Sequence, residues 1–323
     1  MTQSEKGARS APGAWAAESS TALYIGLIAL IARSSGLYFI LFPELGALGH
    51  DIFKRPEGTW ARAPIMLIVT PLLTAVLGTL IARDLPYGLP SVLLDVGCSV
   101  LAITVLRSPI APAISAGLLP LILGIRSVWY PPSLLIGTGV LAFVAVLRSW
   151  LRAPRATAAR GTQDALDDEV EEAPRSLSWI PFFLVFLLLV FLASDLTGWR
   201  FILFPPLVVI GFEAFAHPAV CPWAARPIAL IVACGLTAAA GVLCVVVLGT
   251  GPIGAMSSIL AAVLVLRVLD LHVPPALAVG LLPLVMAHPS FRFPLAVVVG
   301  TGIETAAFLA WRRFSGAFAV RAG

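Results

Sequence analysis

Charge is scarce in this sequence: Asp, Glu, Lys and Arg make up 12% of 323 residues, against 59% apolar residues and a mean hydropathy of +0.98. A soluble domain of this size cannot hide so much apolar surface in one core, which excludes an ordinary globular enzyme or binding module. Cysteine is sparse as well. Cys98, Cys221, Cys234 and Cys244 sit mostly in apolar runs without C-x-x-C spacing, so they read as reduced packing residues rather than a disulfide framework. The four histidines, His50, His217, His272 and His288, have no metal-ligand spacing. The sequence lacks a G-x-S-x-G, an H-E-x-x-H, a Walker loop and a dinucleotide fingerprint, so no catalytic residue, cofactor or metal is expected and the chain reads as a non-enzyme. No basic stripe marks a soluble face, so the formal charge of +4 belongs to loop arginines and not to nucleic-acid binding.

What the chain has in quantity is apolar stretches of bilayer length, each span needing roughly 20 residues of low charge. Backbone groups in lipid must be satisfied internally, and the alternating ten-residue strands of a barrel are missing, so the spans are expected to be helices. Residues 1–20 are polar and rich in small side chains, and they lack the apolar core of a signal peptide. They read as a disordered cytoplasmic tail, leaving insertion to the first membrane helix.

Self-similarity organises the rest. Phe39-Ile40-Leu41-Phe42-Pro43 returns as Phe201-Ile202-Leu203-Phe204-Pro205, and Pro64-Ile65 with Leu67-Ile68-Val69 returns as Pro227-Ile228 with Leu230-Ile231-Val232. Gly117-Leu118-Leu119-Pro120-Leu121 returns as Gly280-Leu281-Leu282-Pro283-Leu284, and Gly137-Thr138-Gly139 as Gly300-Thr301-Gly302. From Pro64 onward the offset holds at 163 without a gap. The expected fold is therefore all-α: a polytopic transmembrane helical bundle of two tandem copies, residues 21–150 and 178–312, with up to six membrane segments each. The second segment of each copy, after the F-I-L-F-P motif, is short enough to cross as a half-span or to re-enter. Residues 151–177, with Arg152, Arg155 and Arg160 followed by the acidic run Asp164 to Glu172, read as a solvated cytoplasmic linker, and residues 313–323 as a cytoplasmic tail.

Loop charge sets the parity. If every segment spans and the N-terminus is cytoplasmic, 16 of the 21 basic residues fall on the inside, leaving Arg33, Arg83, Arg126, Arg200 and Arg292 outside. An even number of spans per copy follows, and with it parallel rather than inverted repeats. The expected placement is the cell membrane, multi-pass, with both termini cytoplasmic.

Ionisable residues far from helix ends are costly in lipid and are functional candidates by default. Asp95, Glu213 and Glu304 lie well inside apolar segments, with Glu44 close behind. Glu304 is weighed toward helix packing, Asp95 and Glu213 evenly between packing and function. At repeat-equivalent positions Asp95 faces Ser258, and Glu213 faces Asp51, so only the second pair keeps its charge. Gly117 with Pro120 and Gly280 with Pro283 mark matched helix breaks, because proline removes an amide donor and clashes with the preceding turn. Such breaks survive in lipid only where protein or a wet cavity covers them, and freed amides there suit an anion. Gly137-Thr138-Gly139 and Gly300-Thr301-Gly302 suit close helix packing, and Thr138 and Thr301 are candidates to line a polar path.

Leu271-His272-Val273-Pro274-Pro275-Ala276, followed by the G-L-L-P motif, resembles the HPP family of small integral membrane proteins, as does the proline-rich stretch from Ala216-His217-Pro218-Ala219 to Arg226-Pro227. The resemblance covers roughly residues 178–312 and, through the repeat, more weakly 21–150. Here Val273 separates the histidine from the two prolines, the first copy has Ser108-Pro109-Ile110-Ala111-Pro112 instead, and family members usually carry one copy. Only His272, Pro274 and Pro275 match the name-giving motif. The resemblance implies a helical membrane protein, some members being nitrite transporters.

Together these features favour a transporter or channel for a small polar solute, such as an inorganic anion like nitrite, with Asp95, Glu213 and His272 near the path. Its partners would be the bilayer and a small solute or ion, with a homo-oligomer left open. A non-transporting scaffold that binds lipid or a partner protein is the alternative, and a membrane-embedded enzyme ranks last for want of convergent polar side chains.

Overall fold

A computed structural model describes residues 15–151, 162–172, 174, 177–221, 223 and 226–321. Among these residues there are helices and no strands. The first copy comprises α1 (Ala16–Ser35), α2 (Leu45–Lys54), α3 (Pro64–Asp84), α4 (Leu89–Leu106), α5 (Ala113–Leu123) and α6 (Tyr130–Leu151). The linker contributes α7 (Thr162–Glu171). The second copy comprises α8 (Ile180–Thr197), α9 (Pro205–Ala216), α10 (Pro227–Leu248), α11 (Pro252–Val268), α12 (Pro274–Leu281) and α13 (Arg292–Arg321). Seven of these helices, α1, α3, α4, α6, α8, α10 and α13, are long and apolar enough to cross a membrane. Their outward faces are greasy, as with Leu23, Leu27 and Leu30 on α1 and Leu236, Leu243 and Val247 on α10, which identifies a membrane protein with lipid as its solvent.

The first helix begins at Ala16, five residues ahead of the composition boundary, and the last runs on to Arg321. Residues 1–14 of the N-terminal tail, and the linker arginines Arg152, Arg155, Arg160 and Arg175, lie outside the described residues.

The second and fifth segments of each copy are the short ones. After α1 ends on the left-handed Gly36, the chain makes a single 3-10 turn at Tyr38–Ile40 before α2 begins. The second copy repeats this with Gly198, a turn at Arg200–Leu203 and then α9. Because α2 ends beside the linker, at the face from which α1 sets out, residues 36–54 cross the bundle rather than re-enter as a hairpin. The fifth segments open with another shared device. Arg107 and Asp270, equivalent at the 163 offset, both take positive φ, 48° and 52°, to turn the chain back into the bundle before α5 and α12.

The copies exchange partners in pairs. α1 packs on α11 and α8 on α4, while α2 packs on α12 and α9 on α5. Helix ends show the direction: Glu18 at the start of α1 bonds Arg267 at the end of α11, and Tyr87, just before α4, bonds Ser194 near the end of α8. Corresponding helices thus point the same way about a pseudo-two-fold axis parallel to them, with the four short helices on that axis.

Close backbone approach repeats too. A Cβ on Gly78 would sit 1.9 Å from the carbonyl oxygen of Gly117, and one on Gly241 would sit 2.1 Å from that of Gly280. These are matched contacts of α3 with α5 and of α10 with α12, closed by small residues as lipid-embedded helices require.

Candidate functional site

The axis gathers its ionisable residues at the linker face. Asp51 and Glu213 occupy equivalent places near the ends of α2 and α9, and both are buried. Four residues on, Arg55 closes α2, where a cation suits the helix dipole. Its Nε donates to Asp51 Oδ1 at 2.6 Å, which turns the other two guanidinium nitrogens toward the linker. Nη1 donates to Asp168 Oδ1 at 3.1 Å, and Nη2 donates to a Glu171 carboxylate oxygen. Asp168 also accepts from the Thr59 amide at 3.1 Å and from Arg62 at 3.3 Å.

The linker therefore departs from a solvated run. Its described part, α7, lies docked across the axis with Asp167, Val170 and Glu171 buried, because Arg55 supplies a fixed planar counter-charge that hydropathy does not register. Burial works against the charge of Arg55, but Asp51 and Glu171 outweigh it and hold the guanidinium above its ordinary value. Burial, and then the neighbouring Asp51, push the Glu171 carboxyl well above the usual carboxylate range against the pull of Arg55.

Beneath α7 lies a space of about 10 Å³, room for one water, lined by Trp60, Trp223, Glu171, Glu213, His272 and Pro274 among others. Trp60 and Trp223 are themselves repeat equivalents facing each other across the axis, but only Trp60 is satisfied: its Nε1 donates to the Pro109 carbonyl at 2.9 Å, whereas Trp223 Nε1 has no acceptor. The position equivalent to Pro109 is His272. Its Nε2 lies 3.2 Å from Asp167 Oδ2 without hydrogen-bond geometry, and burial together with Lys54 and Arg55 holds the imidazole well below its ordinary value, so a neutral ring is favoured.

Beside this point a larger cavity of about 910 Å³ opens at the linker face, between α1, α2, α7, α11 and α12. Lys54, Arg148, Arg226 and Arg267 face it together with Glu18, Asp164, Asp167 and Asp270, so its walls balance four positive against four negative groups. Further along the axis Glu44, at the head of α2, accepts a hydrogen bond from Ser115 on α5 at 2.5 Å, leaving its second oxygen without a partner. Oε2 of Glu213 is likewise unpartnered.

Of the residues singled out in the sequence, the structure brings Glu213, His272 and Pro274 together at the axis, with Pro275 one step further into α12. Asp95 stands apart, buried between α4 and the Gly117 backbone. Pro120 does not break α5. The carbonyl it orphans, that of Ala116, accepts from the Tyr130 phenol at 2.8 Å, so the helix continues to Leu123. Pro283 instead ends α12, which passes into a 3-10 turn at Leu282–Leu284. Thr138 and Thr301 turn their hydroxyls back onto Leu134 and Val297 of their own helices, while the adjacent Gly137 and Gly300 admit the Ile40 and Ile202 carbonyls. Glu304 accepts from Thr305 at 3.3 Å. Arg55, Ser99 and the two tryptophans were missed by the sequence reading. The tryptophans carried a usable signal, since Trp60 and Trp223 recur at the 163 offset ahead of Pro64 and Pro227.

Compared with known proteins, the chain matches no family model, no curated protein and no solved structure.

Proposed function

We propose that this membrane protein is a transporter or channel for a small polar solute. One observation carries the reading: four short helices, two from each copy, meet on the pseudo-two-fold axis, and beside them a cavity of about 910 Å³ opens at the linker face. Interrupted segments at a repeat interface, with buried carboxylates such as Glu44 and Glu213, are what a membrane-embedded solute site requires and what a purely structural bundle does not need. The same proposal places the linker and both termini on the cytoplasmic side of the cell membrane, and takes an inorganic anion such as nitrite, suggested by the HPP-like motif around His272, Pro274 and Pro275, as the first solute to try.

The test is uptake into proteoliposomes of a panel of labelled inorganic anions and cations that includes nitrite, with Glu213→Gln as the matched variant. Flux of one solute class, reduced in the variant, supports the proposal. A second reading, a scaffold that binds lipid or a partner, is favoured by the narrowness of the axis beneath α7, where about 10 Å³ is open. Absence of flux for every solute, with a lipid or protein co-purifying, would favour the scaffold.

A further inference from the structure

Copy two shows how the contact between its third, fourth and fifth segments is satisfied, and copy one leaves the same contact incomplete. In copy two the Ser258 hydroxyl on α11 donates to the Gly280 carbonyl at 2.9 Å, and the Ala262 methyl lies 3.0 Å from where a Cβ on Gly280 would stand. In copy one the equivalent residues are Asp95 and Ser99 on α4. Both oxygens of Asp95 and the hydroxyl of Ser99 are buried, and none has a hydrogen-bond partner. They lie together against one side of the Gly117 backbone. The missing Cβ of Gly117 would lie 2.6 Å from Ser99 Oγ, 3.2 Å from Asp95 Oδ1 and 3.3 Å from the Thr74 main-chain oxygen of α3. A carboxylate, a hydroxyl and a carbonyl from two helices thus ring the side of a glycine on a third.

Among the described residues no arginine, lysine or histidine forms an ion pair with Asp95. The other titratable side chain nearby is the Tyr130 phenol on α6, already committed to the Ala116 carbonyl. An uncompensated carboxylate inside a lipid-embedded helix is expensive, and an all-oxygen donor set is the chemistry that takes a small hard cation.

We propose that Asp95, Ser99 and the Thr74 carbonyl form a binding site for a small monovalent cation, sodium or the proton, whose occupancy is coupled to solute movement. The site itself stands on the geometry above, and its coupling role rests on the transport reading. Occupied, it holds α4 against the Gly117 backbone. Emptied, it exposes a bare carboxylate that has to reach water, so the α4–α5 contact opens, and the cation's differential affinity for the two arrangements moves the half-helix α5.

The experiment uses the full chain purified in detergent and dicyclohexylcarbodiimide, a reagent selective for carboxyls in apolar surroundings, with modification located by mass spectrometry. Asp95 is expected to be modified. Sodium chloride, compared with potassium chloride at the same pH, slows the reaction severalfold if the ligand is sodium, whereas if the ligand is the proton the rate falls with rising pH and is the same in both salts. Ser99→Ala, which removes one donor and keeps the carboxyl, is expected to lose the sodium protection, and Asp95→Ser combined with Ser99→Ala rebuilds copy one in the pattern of copy two, so it is expected to fold. In proteoliposomes the same double variant loses the dependence of uptake on a sodium or proton gradient. Asp95 left unmodified in every condition, modification indifferent to both sodium and pH, or uptake in the double variant with the cation dependence intact would each overturn the site. Protected labelling without flux in the unaltered protein would leave the site standing and remove the transport reading.

Discussion

Arg55 and His217 stand at equivalent places in the two copies, each four residues after a buried carboxylate, Asp51 in one and Glu213 in the other. The arginine reaches across the axis face and fixes α7 through Asp168 and Glu171, which makes the linker-side face asymmetric in an otherwise paired architecture. Removing one partner from a buried charge cluster costs far more than removing an exposed one. Asp168→Lys, which sets an ammonium against Arg55 and Arg62, is therefore expected to release α7. Maleimide labelling of a cysteine at Val170, a buried α7 position, should become severalfold faster. Arg62→Ala, which removes a half-exposed pair, should leave that rate unchanged. Equal labelling in all three proteins would show that the helix is not held by this cluster.

Docking of α7 also depends on pH through Glu171. Its carboxyl is raised well above the ordinary range in the docked state, first by burial and then by Asp51, so docking favours the protonated form. The sign follows: this contribution is fully present below the ordinary carboxylate value and is lost as pH rises through the raised one. Labelling of the Val170 cysteine is expected to accelerate as pH rises across that window, measured against a free thiol to correct for thiolate reactivity. Glu171→Gln, which cannot ionise, should flatten the profile in the docked, slow-labelling condition. A profile unchanged by that substitution would assign the dependence elsewhere.

The repeat and the helical class are legible in the sequence because lipid imposes a long apolar period and duplication leaves matched motifs at 163 residues, whereas the matched proline break appears only at Pro283, since the Tyr130 phenol keeps α5 continuous through Pro120. The second segment reads ambiguously for a physical reason: ten residues of α2 make about 15 Å of helix, half a bilayer, and the remaining reach comes from the irregular turns and 3-10 turn at residues 36–44, which hydropathy does not weigh. The docked linker is illegible for another reason. Asp168 and Glu171 look solvated until Arg55, more than a hundred residues away in sequence, is placed beside them. Asp95 and Glu213 look alike as buried acids, yet they lie in different surroundings, one against a glycine backbone within a copy and the other on the axis between copies.

If the two copies close their packing in the same way, glycine substitutions must act in matched pairs. Gly78→Ala and Gly241→Ala each drive a methyl into the backbone of Gly117 or Gly280, which has no flexible end to give way. Each is expected to cost about 1–3 kcal/mol and to lower the midpoint of thermal unfolding in detergent. Gly97→Ala and Gly302→Ala, where a methyl meets nothing within 4 Å, should leave the midpoint unchanged or slightly higher. A drop confined to one copy would mean that the other does not pack as described.

Pro120 and Tyr130 supply the sharpest test of how α5 survives a proline inside it. The proline deprives the Ala116 carbonyl of its helical donor, and the Tyr130 phenol takes the vacancy at 2.8 Å. Tyr130→Phe strips that donor while keeping the ring packed against Phe39, and leaving a buried carbonyl unpaired costs about 1–3 kcal/mol. Pro120→Ala restores an amide that can serve the same carbonyl. In its background the loss from Tyr130→Phe is expected to shrink, so the two substitutions should be non-additive in a double-mutant cycle followed by unfolding in detergent. Strict additivity would separate the two residues and leave the continuity of α5 through Pro120 resting on packing alone.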